Sequence, residues 1–136
     1  MKLDSITFDP GKKHFEAIIS NLDKKYSLSL LDFQENEIEA ATEFAYKICL
    51  WLELNDESAR VFCASKLLRL KNETWLEDQE EPITQEAFIE TLELEGITAF
   101  SDGSFSLYFD DNDIFWGHSI VVDVEDNVLI DANLAG

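Results

Sequence analysis

The densest set of chemically capable side chains is the run Asp110-Asp111-Asn112-Asp113-Ile114-Phe115-Trp116-Gly117-His118. Three carboxylates fall within four residues, and an imidazole follows five residues after the last. Carboxylates this close need a cation or open solvent to offset their repulsion. A hard cation such as Ca²⁺ or Mg²⁺ would accept such oxygens, and Asp with His is a ligand set for zinc or for a hydrolytic site. The calcium-loop pattern fails, however. Counting from Asp111, the position that demands Gly holds Trp116, and the position that demands Glu holds Val122. A solvated acidic turn between two strands is therefore expected, with no metal and no cofactor assigned. Asp110, Asp111, Asp113, Trp116 and His118 stand as the candidate functional site.

His118 shares a strand phase with Ile120 and Val122, so a hydrogen-bonded, partly buried imidazole is expected in the first instance. His14 sits beside a Lys-rich turn and reads as surface. Phe115-Trp116 before Gly117 has the form of an aromatic plug with a tight backbone approach, and is expected in the core. A Gly-rich phosphate loop, a nucleophile elbow, CxxC and HExxH are all missing from the sequence.

Acidic side chains dominate the rest. The 136 residues carry 29 Asp and Glu against 10 Lys and Arg, a formal net charge of −19. A surface of that sign repels phosphate backbones and anionic lipid, which disfavours nucleic-acid and membrane partners. Two groups of acids mark a candidate partner surface: Glu77, Asp78, Glu80 and Glu81, and then Asp123, Glu125 and Asp126. A single-sign field of this size can steer a basic protein to its site. Hydrophobic content of 46%, with ten Phe and three Trp, excludes global disorder and supplies a core for one domain over 1–136.

The positioning elements follow from periodicity. From Leu3 to Leu31 the pattern alternates, with Asp9-Pro10-Gly11-Lys12 and the Asn21 to Lys25 stretch as turns, so a three-stranded antiparallel meander is expected. From Glu35 to Leu92 the period is helical. Ile38, Ala41, Ala45, Ile48 and Leu52 form one stripe, Ala59, Phe62, Cys63, Leu67 and Leu70 another. Asn55-Asp56 between them reads as a break, which predicts a helical hairpin. Thr84 then reads as the N-cap of a short third helix. From Leu94 onward alternation returns, with turns at Ser101-Asp102-Gly103 and Asp126-Asn127, which predicts antiparallel strands. The expected class is α+β, helices packed on antiparallel sheet.

The first residues show no basic stretch followed by an apolar run, and Phe44 to Leu54 is too short to span a bilayer. Cys49 and Cys63 lie in helical pattern and are expected as free, buried thiols, which together place the chain in the cytoplasm. Asn72-Glu73-Thr74 matches a glycosylation acceptor, a short motif common by chance.

Several stretches carry a resemblance. Asn72-Glu73-Thr74-Trp75-Leu76, Ile83-Thr84-Gln85-Glu86-Ala87-Phe88, Asp102-Gly103-Ser104-Phe105, Asp113 to Ile120 and the closing Ala135-Gly136 resemble the bacterial family known as domain of unknown function 2262. The likeness is close over the last half of the chain and loose over the helical block. It implies no activity and no role for Trp116 or His118. Acidic single-domain bacterial proteins of similar character include immunity proteins that block secreted toxins, an analogy only. The leading expectation is a small acidic protein-binding domain of the cytoplasm, an immunity-type inhibitor of a basic protein being its sharpest form. The rival is a metal-dependent or His-assisted enzyme centred on Asp111, Asp113 and His118. A third reading, a subunit or scaffold, requires a large exposed apolar patch.

Overall fold

A computed structural model describes residues 1–135; Gly136, the last residue of the closing motif, lies outside the described residues. In chain order the elements are β1 (Lys2–Asp9), β2 (His14–Asn21), β3 (Lys24–Leu31), α1 (Ile38–Thr74), α2 (Gln85–Thr91), β4 (Glu93–Phe100), β5 (Phe105–Asp110), β6 (Ser119–Glu125) and β7 (Val128–Ala135). One turn of 3₁₀ helix, Glu35–Glu37, leads into α1.

The two strand blocks form one seven-stranded sheet in the order β1-β2-β3-β4-β5-β6-β7. The expected meander is present as β1 to β3, and β4 to β7 are antiparallel as expected. What joins them is a parallel pairing of β3 with β4, Ser27 opposite Gly96 through Leu31 opposite Phe100. Parallel neighbours need a long crossover, and the helices supply it.

Strand alternation delivers the core. Phe15, Ala17 and Ile19, then Leu28 and Leu30, then Phe105, Leu107 and Phe109, then Ile120, Val122 and Val124 all lie buried on one face. Cross-strand register aligns them, as in Leu107 opposite Val122 and Phe109 opposite Ile120. α1 covers that face with Ala41, Ala45, Ile48, Leu52, Ala59, Cys63 and Leu67. Its closest approach is to the edge strands β1 and β7, so the sheet curls about the helix from both sides. At the Asp126-Asn127 turn both residues are left-handed, φ 50° and 63°, as a two-residue type I′ hairpin requires.

The helical hairpin and the count of three helices are not observed. α1 is a single helix of 37 residues that runs straight through Asn55-Asp56. Both supposed breakers are satisfied inside it. Asn55 Nδ2 donates to the Trp51 carbonyl at 2.9 Å, and the Asp56 carboxylate accepts from Arg60 Nε at 3.0 Å, one turn on. Arg60 also donates to the Leu92 carbonyl and lies over the Phe109 ring, so the helix is locked to the sheet where it was expected to stop. Thr84 does cap a helix, its hydroxyl accepting from the Ala87 amide at 3.2 Å, but that helix is the second.

Cys49 and Cys63 are buried free thiols, and burial pushes the Cys63 thiol up to about 12. No described helix is long and apolar enough to cross a membrane.

Candidate functional site

The β5–β6 loop, residues 111–118, is built around one carboxylate. Asp111 is 1% exposed. Its Oδ1 accepts the Asp113 amide at 3.0 Å, and its Oδ2 accepts the amides of Phe115 at 2.8 Å and Gly117 at 3.2 Å. Three backbone donors converge on this side chain, and it adds to the backbone turns of the loop, in which the Ile114, Trp116 and His118 amides donate to the Asp111, Asp113 and Phe115 carbonyls. Asp110 repeats the motif at smaller scale, accepting the Asn112 amide at 2.9 Å. Asp113 is exposed.

This wrapping forces unusual backbone. Asn112, Asp113 and Trp116 have φ of 46°, 68° and 58°, and Gly117 follows at 89°. For Asn and Asp the left-handed region is tolerable; for Trp it is a genuine outlier, held by its surroundings. The result splits the expected aromatic plug. Phe115 is fully buried, edge-on to Phe88 and Trp75, whereas Trp116 stands 54% exposed. Trp116 thus points away from the core that Phe115 enters, on left-handed backbone.

Trp75, just beyond the C-terminus of α1, is the hub. Its ring meets Phe115 at 5.8 Å, Trp116 at 4.7 Å and His118 at 5.1 Å, each edge to face. Sequence reasoning did not place Trp75 in the site, although Trp75 lies in one of the stretches that carry the family resemblance. β6 begins at Ser119, so His118 belongs to the loop. Its Nδ1 faces the Phe115 carbonyl at 2.7 Å. A carbonyl only accepts, so Nδ1 carries a proton and donates.

Trp75 is fixed by a buried cation. Lys71, 1% exposed, donates from Nζ to the Trp75 carbonyl at 2.8 Å and to both Glu80 oxygens at 3.1 Å. The Glu77 amide, with Lys71 second, holds the Glu80 carboxyl below its usual range. The Asn72 side-chain amide pairs with both the N–H and the carbonyl of Ile83, so it is engaged in structure at the acceptor motif. These contacts fold the Glu77–Glu81 stretch onto the end of α1.

The structure therefore joins one of the two acidic groups to the candidate site and separates the other. Glu80 is tied to the Trp75 carbonyl through Lys71 and holds the Glu77 amide, while Asp78 and Glu81 are exposed on the same stretch. Asp123, Glu125 and Asp126 lie at the far end of β6, some 20 Å away at strand rise. There the Asp123 carboxylate accepts from Ser106 Oγ at 2.7 Å, while Glu125 and Asp126 are exposed. Charge is also polarised along the chain. All ten Lys and Arg lie at or before Lys71, and the residues after it carry 17 Asp and Glu.

Among the described residues, no three His, Cys, Asp or Glu side chains form a group able to hold a metal ion. Asp111 and His118 are near in sequence, yet each spends its bonding capacity on the loop backbone. What the corner offers chemically is an aromatic surface with an imidazole edge and nearby carboxylates.

No curated protein and no solved structure matches the chain. A family model does match, over residues 2–134, and its description is an uncharacterised protein conserved in bacteria. With nearly the whole chain covered, the protein belongs to the DUF2262 family.

Proposed function

We propose that this chain is a small cytoplasmic protein-binding domain that takes a basic partner at the Trp75–Trp116–His118 corner. The observation that carries the reading is Trp116: a large aromatic side chain held half-exposed on left-handed backbone. Strain of that kind persists only where the surroundings enforce it, and exposed Trp is the residue type that most often anchors an interface. The flanking charge supports a basic partner. Glu77 and Asp78 lie two and three residues after Trp75, Asp113 precedes Trp116 by three residues, and the residues after Lys71 include no Lys or Arg to neutralise them. Indole faces also attract Arg and Lys side chains.

The test is a pull-down from native cytoplasm with tagged protein, at low and high salt, alongside the Trp116→Ala variant. A basic protein captured at low salt, weakened at high salt and lost with Trp116→Ala is the expected result. Capture that ignores both changes sinks the reading. The narrower form, an immunity-type inhibitor, adds one requirement: the captured protein must have an activity that stoichiometric addition of this chain abolishes.

A second reading, a metal-dependent or His-assisted enzyme centred on Asp111, Asp113 and His118, is favoured by one observation, the exposed Asp113 carboxylate in the same loop as His118. Against it, both Asp111 oxygens already accept backbone amides. Calorimetric titration with Ca²⁺, Mg²⁺, Mn²⁺ and Zn²⁺ decides its metal form.

A further inference from the structure

The face of α1 turned away from the sheet is apolar where a solvent-facing helix should be polar. Tyr46, Leu50 and Leu54 follow one another at four-residue steps and are 57%, 56% and 73% exposed. Ile38 and Val61 extend the row at either end. Two shallow grooves, of about 550 and 340 Å³, flank this ridge and share Lys47 and Leu50. The five apolar side chains expose roughly 500 Å² together, near the upper range for the largest patch on a monomer. That area is of the right order for the apolar centre of a standard interface of about 800 Å² per partner.

We propose that this ridge is the homodimer interface of the protein, with α1 packed antiparallel against α1 of a second copy. The charges on the face choose both the occupant and the direction. In a parallel two-fold pair, Glu43, Lys47 and Glu57 would each face their own counterpart, three like-charge contacts. In an antiparallel pair with the axis between Leu50 and Leu54, Leu50 of one copy meets Leu54 of the other. The same register sets Lys47 opposite Glu57 twice, Glu43 opposite Val61, and Glu39 opposite Ser65, with no carboxylate directly facing another. Lys47 is free to make this contact, because its present partner Glu43, at 3.4 Å, is an exposed one-turn pair of little energetic weight. An isologous arrangement of this kind closes on itself, and the Trp116 corner takes no part in it.

The proposal is independent of the function proposed above, and salt separates the two. Two chains of net charge −19 repel through most of their surface, so added salt screens that repulsion and strengthens the dimer. Binding of a basic partner weakens under the same change.

Sedimentation equilibrium on the full chain, across concentration and at low and high salt, is the measurement. The expected result is a mass approaching twice 15.6 kDa, favoured by salt. The Leu50→Glu, Leu54→Glu double variant should sediment as a monomer with an unchanged circular dichroism spectrum. Lys47→Glu and Glu57→Lys should each weaken association roughly fivefold, the effect of two lost ion pairs, and the two together should restore it. A monomer at every concentration and salt overturns the proposal. So does a dimer that survives the double Leu variant. Failure of the charge swap to restore association overturns the antiparallel register.

Discussion

The buried carboxylate of Asp111 accepts the Phe115 amide at 2.8 Å, and through it the aromatic corner is tied to the start of its own loop. With the Asp113 and Gly117 amides on the same side chain, three donors depend on one residue. Asp111→Ala would leave them without their shared acceptor, the Phe115 amide in a buried position, at a cost of about 3 kcal/mol. Asp111→Asn keeps an acceptor oxygen and should cost about half of that. Urea denaturation of the two variants should show this order, and the alanine variant should melt roughly 10 °C lower. Equal stability of the two would mean that the loop is held by something else.

That loop shows how far local sequence carries. Its acidic residues were legible, but density of charge pointed toward metal or solvent, whereas Asp111 is spent on backbone amides and only Asp113 faces out. The aromatic pair ahead of Gly117 was expected in the core as a plug, and the left-handed turn at Trp116 that separates it from Phe115 has no signature in the residue type Trp. The strand blocks read well because one buried face imposes a period of two at every step. The parallel β3–β4 pairing was not legible, since no turn joins the two strands and register between them depends on a crossover of some sixty residues.

The continuity of α1 gives a second test, and it concerns the one element read incorrectly. Asn55 and Asp56 are residues that end helices when their side chains compete for backbone. Here Asn55 bonds the Trp51 carbonyl and Asp56 bonds Arg60, so neither is free to cap. Asn55→Pro would remove an interior amide donor and clash one turn back, costing about 3 kcal/mol or more. Asn55→Ala, which keeps the helix, should change stability by no more than about 0.5 kcal/mol. A proline variant as stable as wild type would restore the hairpin.

Acidification should act through Glu80. Its carboxyl is held below the ordinary value of 4.5, first by the Glu77 amide and then by the Lys71 ammonium. A depressed folded-state value means the contribution is complete above pH 4.5 and disappears as the pH falls through the folded-state value. Glu80→Gln lacks that ionisation. Wild type should therefore be the more stable protein at neutral pH, with the gap closing on acidification below 4.5. Chemical denaturation at stepped pH measures it, and a gap that stays constant would contradict the role given to Lys71.

Trp116 provides the test in which stability and function part company. Its φ of 58° costs an L-residue about 1 kcal/mol or more, and that cost is absent for glycine. Trp116→Ala and Trp116→Gly both remove the indole and its contact with Trp75 at 4.7 Å, so they differ in backbone alone. The glycine variant should be the more stable of the two by about 1 kcal/mol, reversing the usual order for this pair outside such turns. Partner capture should fail equally in both, because the exposed indole is the anchor. Denaturation curves and pull-downs on the same two preparations check it together. If the glycine variant retained capture, the binding surface would lie elsewhere, and if it were the less stable, the left-handed turn would not be strained.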